Sequence, residues 1–136
     1  VVSSAASDVY KRQSINDKYG HLAGDKVLAV VAKTIRKRLR RVDFIARYGG
    51  EEFVVLLPAT RADEAKVLME KLGKDIREAP FHFNKSPLQI TVSFGVAEVA
   101  DSDTLETLFS RADTALYKAK ASGRDCTVLA TAENQS

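Results

Sequence analysis

The chain is predicted to fold as one mixed α/β domain, a single sheet covered by helices. Three observations predict it. Segments with apolar residues at helical spacing alternate along the chain with strand-like segments. A Gly-Gly pair, Gly49-Gly50, lies between two of those strands and marks a hairpin. The 136 residues are enough for one core, and no internal repeat or linker divides them. The order helix, hairpin, helix, strand, helix, strand is that of one sheet with helices packed on it.

Val1 to Ser7 is small and bland, and is expected to contribute no core element. From Gly24 to Arg40 the residues Val27, Leu28, Val31, Ile35 and Leu39 recur at helical spacing, which predicts an amphipathic helix. Val42 to Tyr48 and Phe53 to Leu57 are the hairpin arms. Pro58 ends the second arm because it cannot donate to a ladder. Ala62 to Glu78 is a second helix, with Ala65, Leu68, Met69, Leu72 and Ile76 on one stripe. Phe81 to Pro87 reads as a connection.

Leu88 to Val99 is a long strand with Leu88, Ile90, Val92 and Phe94 on one face. Gly95 within it marks a bulge or a close contact. Asp103 with Glu106 three residues on is read as the cap of a third helix carrying Leu105, Leu108, Phe109, Ala112, Leu116 and Ala119. Gly123 stops that helix. Thr127 to Leu129 is a last short strand that Cys126 helps to pack, and residues 131–136 read as a disordered tail.

Apolar residues make up 45% and charged residues 29%, ordinary for a globular protein. No stretch is long and apolar enough to span a membrane, and no signal peptide is visible. One cysteine, Cys126, cannot form an internal disulfide, so a cytoplasmic setting is expected, without membrane contact by this domain. A parent protein could still be membrane-tethered. The net charge of +3 is mild. Basic residues gather between Lys33 and Arg41, but without aromatic interleaving or a known module they do not predict nucleic-acid binding.

Four constellations carry chemistry. In Arg47-Tyr48-Gly49-Gly50-Glu51-Glu52-Phe53, glycine supplies the positive φ of a tight turn and lets an anion approach the backbone. The two carboxylates beside it can hold a divalent cation that grips phosphate oxygens. In the segment from Ser14 to Asp25, Asn16 and Asp25 offer an amide and a carboxylate able to read a purine edge, although both residue types are also ordinary caps and turn formers. Lys120 and Arg124 lie four apart across a helix end, where two cations can bind a polyphosphate or simply complement the helix dipole. Arg40-Arg41-Val42-Asp43 precedes the hairpin.

Together these strings resemble the GGDEF family, the diguanylate cyclases, in the form with Glu at the third position. The resemblance covers Ser14 to Val128 and includes Ile15-Asn16-Asp17, Gly20-His21, Gly24-Asp25 and the ending Ala115-Leu116-Tyr117 to Gly123-Arg124. It implies a mainly antiparallel central sheet of nucleotidyl-cyclase-like, ferredoxin-like topology. It also implies condensation of two GTP into cyclic di-GMP with release of pyrophosphate, by a homodimer. Glu51 and Glu52 would be catalytic. Asp8, the backbone of Val9, and Glu51 would hold Mg²⁺ or Mn²⁺. Asn16, Asp25, Gly49, Gly50, Lys120 and Arg124 would bind substrate, while Arg40 and Asp43 would form an inhibitory site for the product. His21 and Asp113 are read as structural.

Residues 1–13 depart from the family pattern. Tyr10 stands where a second aspartate belongs, Arg12 where a phenylalanine does and Gln13 where a lysine does. This segment is therefore expected to be atypical and to lack the family's central strand, with residues 14–130 forming the domain. The alternative activity is that of an impaired domain that binds GTP or cyclic di-GMP without making it.

Overall fold

The computed structural model describes residues 2–11, 21–83 and 86–131. Among the described residues, seven strands and three helices follow in order: β1 (Val2–Lys11), α1 (His21–Arg38), β2 (Phe44–Arg47), β3 (Glu52–Pro58), α2 (Ala62–Glu78), β4 (Phe81–Phe83), β5 (Ser86–Leu88), β6 (Ile90–Glu98), α3 (Leu105–Ala121) and β7 (Thr127–Leu129). Five strands form one sheet in the order β2-β3-β1-β6-β7, antiparallel except for the β6–β7 pair. The parallel pair needs a crossover, and α3 supplies it.

The N-terminal expectation is corrected here. Val2–Lys11 is the central strand, paired along its length with β3 on one side and β6 on the other. Ser3, Ser4, Ala5, Ser7 and Val9 are fully buried. The segment looked coreless because its side chains are small, yet a strand covered on both faces can use small residues where helices come close. Its hydroxyls are largely satisfied within the fold. Ser3 Oγ donates to the carbonyl of Thr60 at 2.7 Å and Ser7 Oγ to that of Phe53 at 3.2 Å. Ser4 Oγ finds no partner among the described residues.

The two faces of the sheet are packed differently. On one, Val9, Phe53, Val55, Leu57, Ile90, Val92, Phe94 and Val96 meet the apolar stripes of α1 and α2 in the main core. Val27, Leu28, Val31 and Ile35 are the buried stripe of α1, and Ala65, Met69, Leu72 and Ile76 that of α2, as their spacing predicts. On the other face α3 lies over Ala6 and Ala97, through Leu108, Ala112 and Leu116. Small residues let α3 come very near. A Cβ built on Gly95 would sit 2.2 Å from both the Ala112 carbonyl oxygen and the Leu116 nitrogen. Gly95 therefore marks a close contact, not a bulge.

Some boundaries shift. The first helix ends at Arg38, because Arg40 and Asp43 close a turn there. Phe81 to Leu88, expected as a connection, contains the short antiparallel pair β4–β5, so Leu88 belongs to β5 while β6 begins at Ile90. The cap of α3 is Thr104, whose Oγ1 accepts from the Thr107 amide at 3.2 Å while Thr107 Oγ1 accepts from the Thr104 amide at 2.9 Å. Asp103 instead takes buried Arg111 at 2.6 Å and clasps the loop before the helix. Gly123, with φ +107°, does follow the end of α3. No described helix is long and apolar enough to cross a membrane.

Candidate active site

The site begins with the β2–β3 hairpin. Gly49 and Gly50 have φ of +72° and +51°, the paired left-handed conformation that a tight hairpin needs and other residues adopt only with strain. Among the described residues, no atom beyond the neighbouring residues lies within 4 Å of where a Cβ would stand on either glycine, so the described residues leave the turn open above. The Glu52 carbonyl accepts from the Tyr48 amide at 2.8 Å, and the Gly49 carbonyl accepts from the Glu52 amide at 3.1 Å.

The register of the sheet brings β1 to this turn. Asp8 stands directly opposite Glu52, so the two side chains share a face. Next along, the Val9 amide donates to the Glu51 carbonyl at 3.2 Å. That face is the one α3 covers. Asp113 and Lys120 are seven apart on α3, two turns along the same side, and Arg124 follows in the left-handed conformation just past the helix end. Arg124 Nη1 lies 3.3 Å from Asp8 Oδ2, and Lys120 Nζ lies 4.0 Å from the same oxygen. The Arg124 guanidinium also stacks on the Tyr10 ring, 4.6 Å from its centroid.

Burial raises the Asp8 carboxyl above the ordinary aspartate range. The charge of Lys120 opposes that rise, Glu51 adds to it, and Arg124 opposes it again. Glu52 is likewise raised, by burial first and then by the charges of Asp113 and Asp8. Asp113 is raised by burial, with Lys120 opposing. Four carboxylates and two cations thus share one end of the sheet. Among the described residues no three His, Cys, Asp or Glu side chains converge on a single ion position. The donors nevertheless suit a hard divalent cation. Glu51 raises the cost of ionising Asp8, which a bound cation would relieve, and all the donors are oxygens.

A second part of the site lies between α1 and the hairpin. Asp25, on α1, borders a pocket of about 280 Å³ whose walls include Leu28, Ala32, Ile45 and Phe53. Arg47 closes its edge, with Nη2 3.5 Å from Asp25 Oδ1 and 2.9 Å from the Gly50 carbonyl oxygen. Asn16 lies outside the described residues, as does the side chain of His21.

Arg40 and Asp43 are not part of this assembly. They sit where α1 turns into β2, against the far end of β3. Asp43, almost wholly buried, accepts from the Arg40 amide at 2.7 Å, from Nε at 3.2 Å and from Nη2 at 2.8 Å. The same Nη2 donates to the Pro58 carbonyl at 2.6 Å. Pro58 and Glu52 are opposite ends of β3, about 20 Å apart at strand rise.

Two residues of the site escaped sequence reasoning. Asp113, read as structural, faces Glu52 and Lys120; its spacing from Lys120 was the available signal. Arg47 was noted only as part of the hairpin string.

A family model described as "Diguanylate cyclase, GGDEF domain" matches residues 4–126. The chain belongs to the GGDEF family. Its GGDEF domain is 53% identical over 121 residues to diguanylate cyclase DgcP of Pseudomonas aeruginosa, a match covering 89% of this chain and 18% of that protein. The chain therefore spans about a fifth of that relative. Among solved structures it resembles the GGDEF domain of DgcB from Caulobacter crescentus in complex with c-di-GMP, with a TM-score of 0.89 and 31% identity over 95% of this chain and 77% of that one. It also resembles diguanylate cyclase SiaD in complex with its activator SiaC from Pseudomonas aeruginosa, with a TM-score of 0.88 and 38% identity over 95% and 50%. The mixed α/β fold with its mostly antiparallel sheet is that of these GGDEF domains.

Proposed function

We propose that this domain is a diguanylate cyclase that condenses two GTP into cyclic di-GMP and releases two pyrophosphates. The observation that carries the reading is the meeting of Asp8, Glu51 and Glu52 at an open Gly-Gly turn beside Lys120 and Arg124. Family membership and the identity to a named diguanylate cyclase support it. Each copy would hold one GTP, so the working unit is a homodimer with two sites facing each other. Cytoplasmic GTP places the domain on the cytoplasmic side of any membrane its parent spans.

Asp25, with Asn16, reads the guanine edge, and the apolar walls of the adjoining pocket take the faces of the base. The open turn at Gly49-Gly50 admits phosphate to the backbone. Lys120 and Arg124 grip the phosphate tail and hold the α-phosphorus in line with the partner copy's 3′-hydroxyl. Asp8, Val9 through its carbonyl, and Glu51 would hold Mg²⁺ or Mn²⁺, which when bound neutralises phosphate charge and makes the 3′-hydroxyl more acidic. Glu52, whose proton affinity is raised, takes the hydroxyl proton as the O–P bond forms and the bond to pyrophosphate breaks. Arg40 and Asp43 form the inhibitory product site.

One observation favours a second reading, a domain that binds GTP or cyclic di-GMP without turnover. Lys120 and Arg124 already engage Asp8, and Tyr10 holds Arg124 from the other side. Incubation with GTP and Mg²⁺, followed by chromatography for cyclic di-GMP, separates the two. Product from the parent chain and none from Glu51→Ala supports the cyclase. No product together with saturable nucleotide binding supports the binding module. Turnover that survives Glu51→Ala overturns the metal assignment.

A further inference from the structure

Arg47 ends β2 and reaches two places at once. Its Nε and Nη2 donate to the Gly50 carbonyl at 3.1 and 2.9 Å, and Nη2 also faces Asp25 Oδ1 at 3.5 Å. Asp25 needs such a neighbour. It stands on the exposed side of α1, with 62% of its side chain open to solvent. An exposed carboxylate samples several rotamers, and each productive contact must offset the entropy of fixing it. To accept from the two adjacent N–H groups of guanine, both oxygens must lie in the plane of the base. A guanidinium on one oxygen narrows the rotamers and leaves lone pairs for the base.

The other end of the bridge is the Gly50 carbonyl, one residue before Glu51. The planar guanidinium fork can serve an oxygen on each element, whereas an ammonium is a single point charge. We propose that Arg47 is a positioning residue for guanine specificity, tying the base-reading carboxylate Asp25 to the Gly-Gly turn. The inference rests on the reading of Asp25 as the guanine contact. It makes base recognition and placement of the hairpin tip one mechanical unit, so a nucleotide that fails to engage Asp25 also meets a less ordered turn.

The test measures binding of GTP, ITP and ATP, each as its non-cleavable α,β-methylene form, to the parent chain, Arg47→Ala and Arg47→Lys by equilibrium dialysis with Mg²⁺, with thermal melting of each variant. ITP lacks the exocyclic amine and so removes one of the two donors. The parent chain is expected to prefer GTP to ITP. In Arg47→Ala that preference falls about tenfold, the size of one charged hydrogen bond, with Tm little changed. Arg47→Lys keeps the charge and the fold but loses the preference as well. An unchanged GTP-to-ITP ratio in either folded variant, even with weaker binding of both nucleotides, would falsify the proposal and reduce Arg47 to a brace for the turn. A parent chain that binds all three nucleotides equally overturns the assignment of Asp25 itself, and this proposal with it.

Discussion

The two ends of β3 carry the same kinds of residue in opposite states. At the Pro58 end, Asp43 is buried and saturated by three donors from Arg40, whose guanidinium also takes the Pro58 carbonyl and Thr60. At the Glu52 end, Asp8 and Glu52 are pushed toward their protonated forms by burial and by neighbouring carboxylates, Glu51 for the first and Asp113 and Asp8 for the second, with two cations for several carboxylates. A clasp spends its charges on itself. A site keeps charge imperfectly compensated, so that an incoming cation or phosphate completes it. The contrast separates structural from chemical acid–base pairs more sharply than residue type does.

Substitutions at the two ends can break that contrast. The largest effect belongs to the open end. Glu51→Ala should lower cyclic di-GMP formation by about a thousandfold while leaving the melting temperature close to that of the parent, as followed by chromatography and calorimetry. Next comes Asp43→Ala, which leaves the Arg40 amide and guanidinium without their acceptor. It should cost about 2 kcal/mol, seen as a Tm lower by roughly 6–10 °C, with turnover at low product retained. Arg40→Ala should lower Tm less than Asp43→Ala does, because the arginine is half exposed and solvent screens its charge; it should relieve inhibition by added product.

The smallest effect tests the sign of the electrostatics. A carboxyl raised in the folded state favours folding below its unfolded pKa, and that contribution is lost as pH rises through the folded value. Asp8→Asn should therefore melt at the same temperature or slightly higher at neutral pH, although it loses the metal-dependent activity. The acid limb of nucleotide binding by the parent chain should lie above the ordinary aspartate value of 3.8, because Asp8 must be ionised to bind the cation. A limb at or below that value would show that the raised Asp8 does not matter to binding.

Much of this was legible in the sequence. The three helices, the hairpin and the last strand follow from spacing and from Gly49-Gly50, because side-chain periodicity and positive φ are local properties. The central strand was not legible. Ser3, Ser4, Ala5, Ala6 and Ser7 carry no apolar signal, and their burial comes from neighbours more than 40 residues away, such as Phe53 and Gly95. The same holds for Asp113 and Arg47, whose partners Glu52 and Asp25 lie on other elements. The motifs named the site's carboxylates and cations; only the register placed Asp8 against Glu52.

Gly95 ties these points together. With no side chain there, the backbones of β6 and α3 touch, and the helix has no room to settle lower and no reason to ride higher. It works as a gauge block: the height of α3 above the sheet is set by two main chains, not by compressible side chains. Lys120 and Arg124 inherit that height, and with it their distance from Asp8. A methyl group at this one place would tilt or lift the whole lever. If the proposed reaction joins two nucleotides on two copies, so stiff a half leaves the meeting of the halves as the adjustable step.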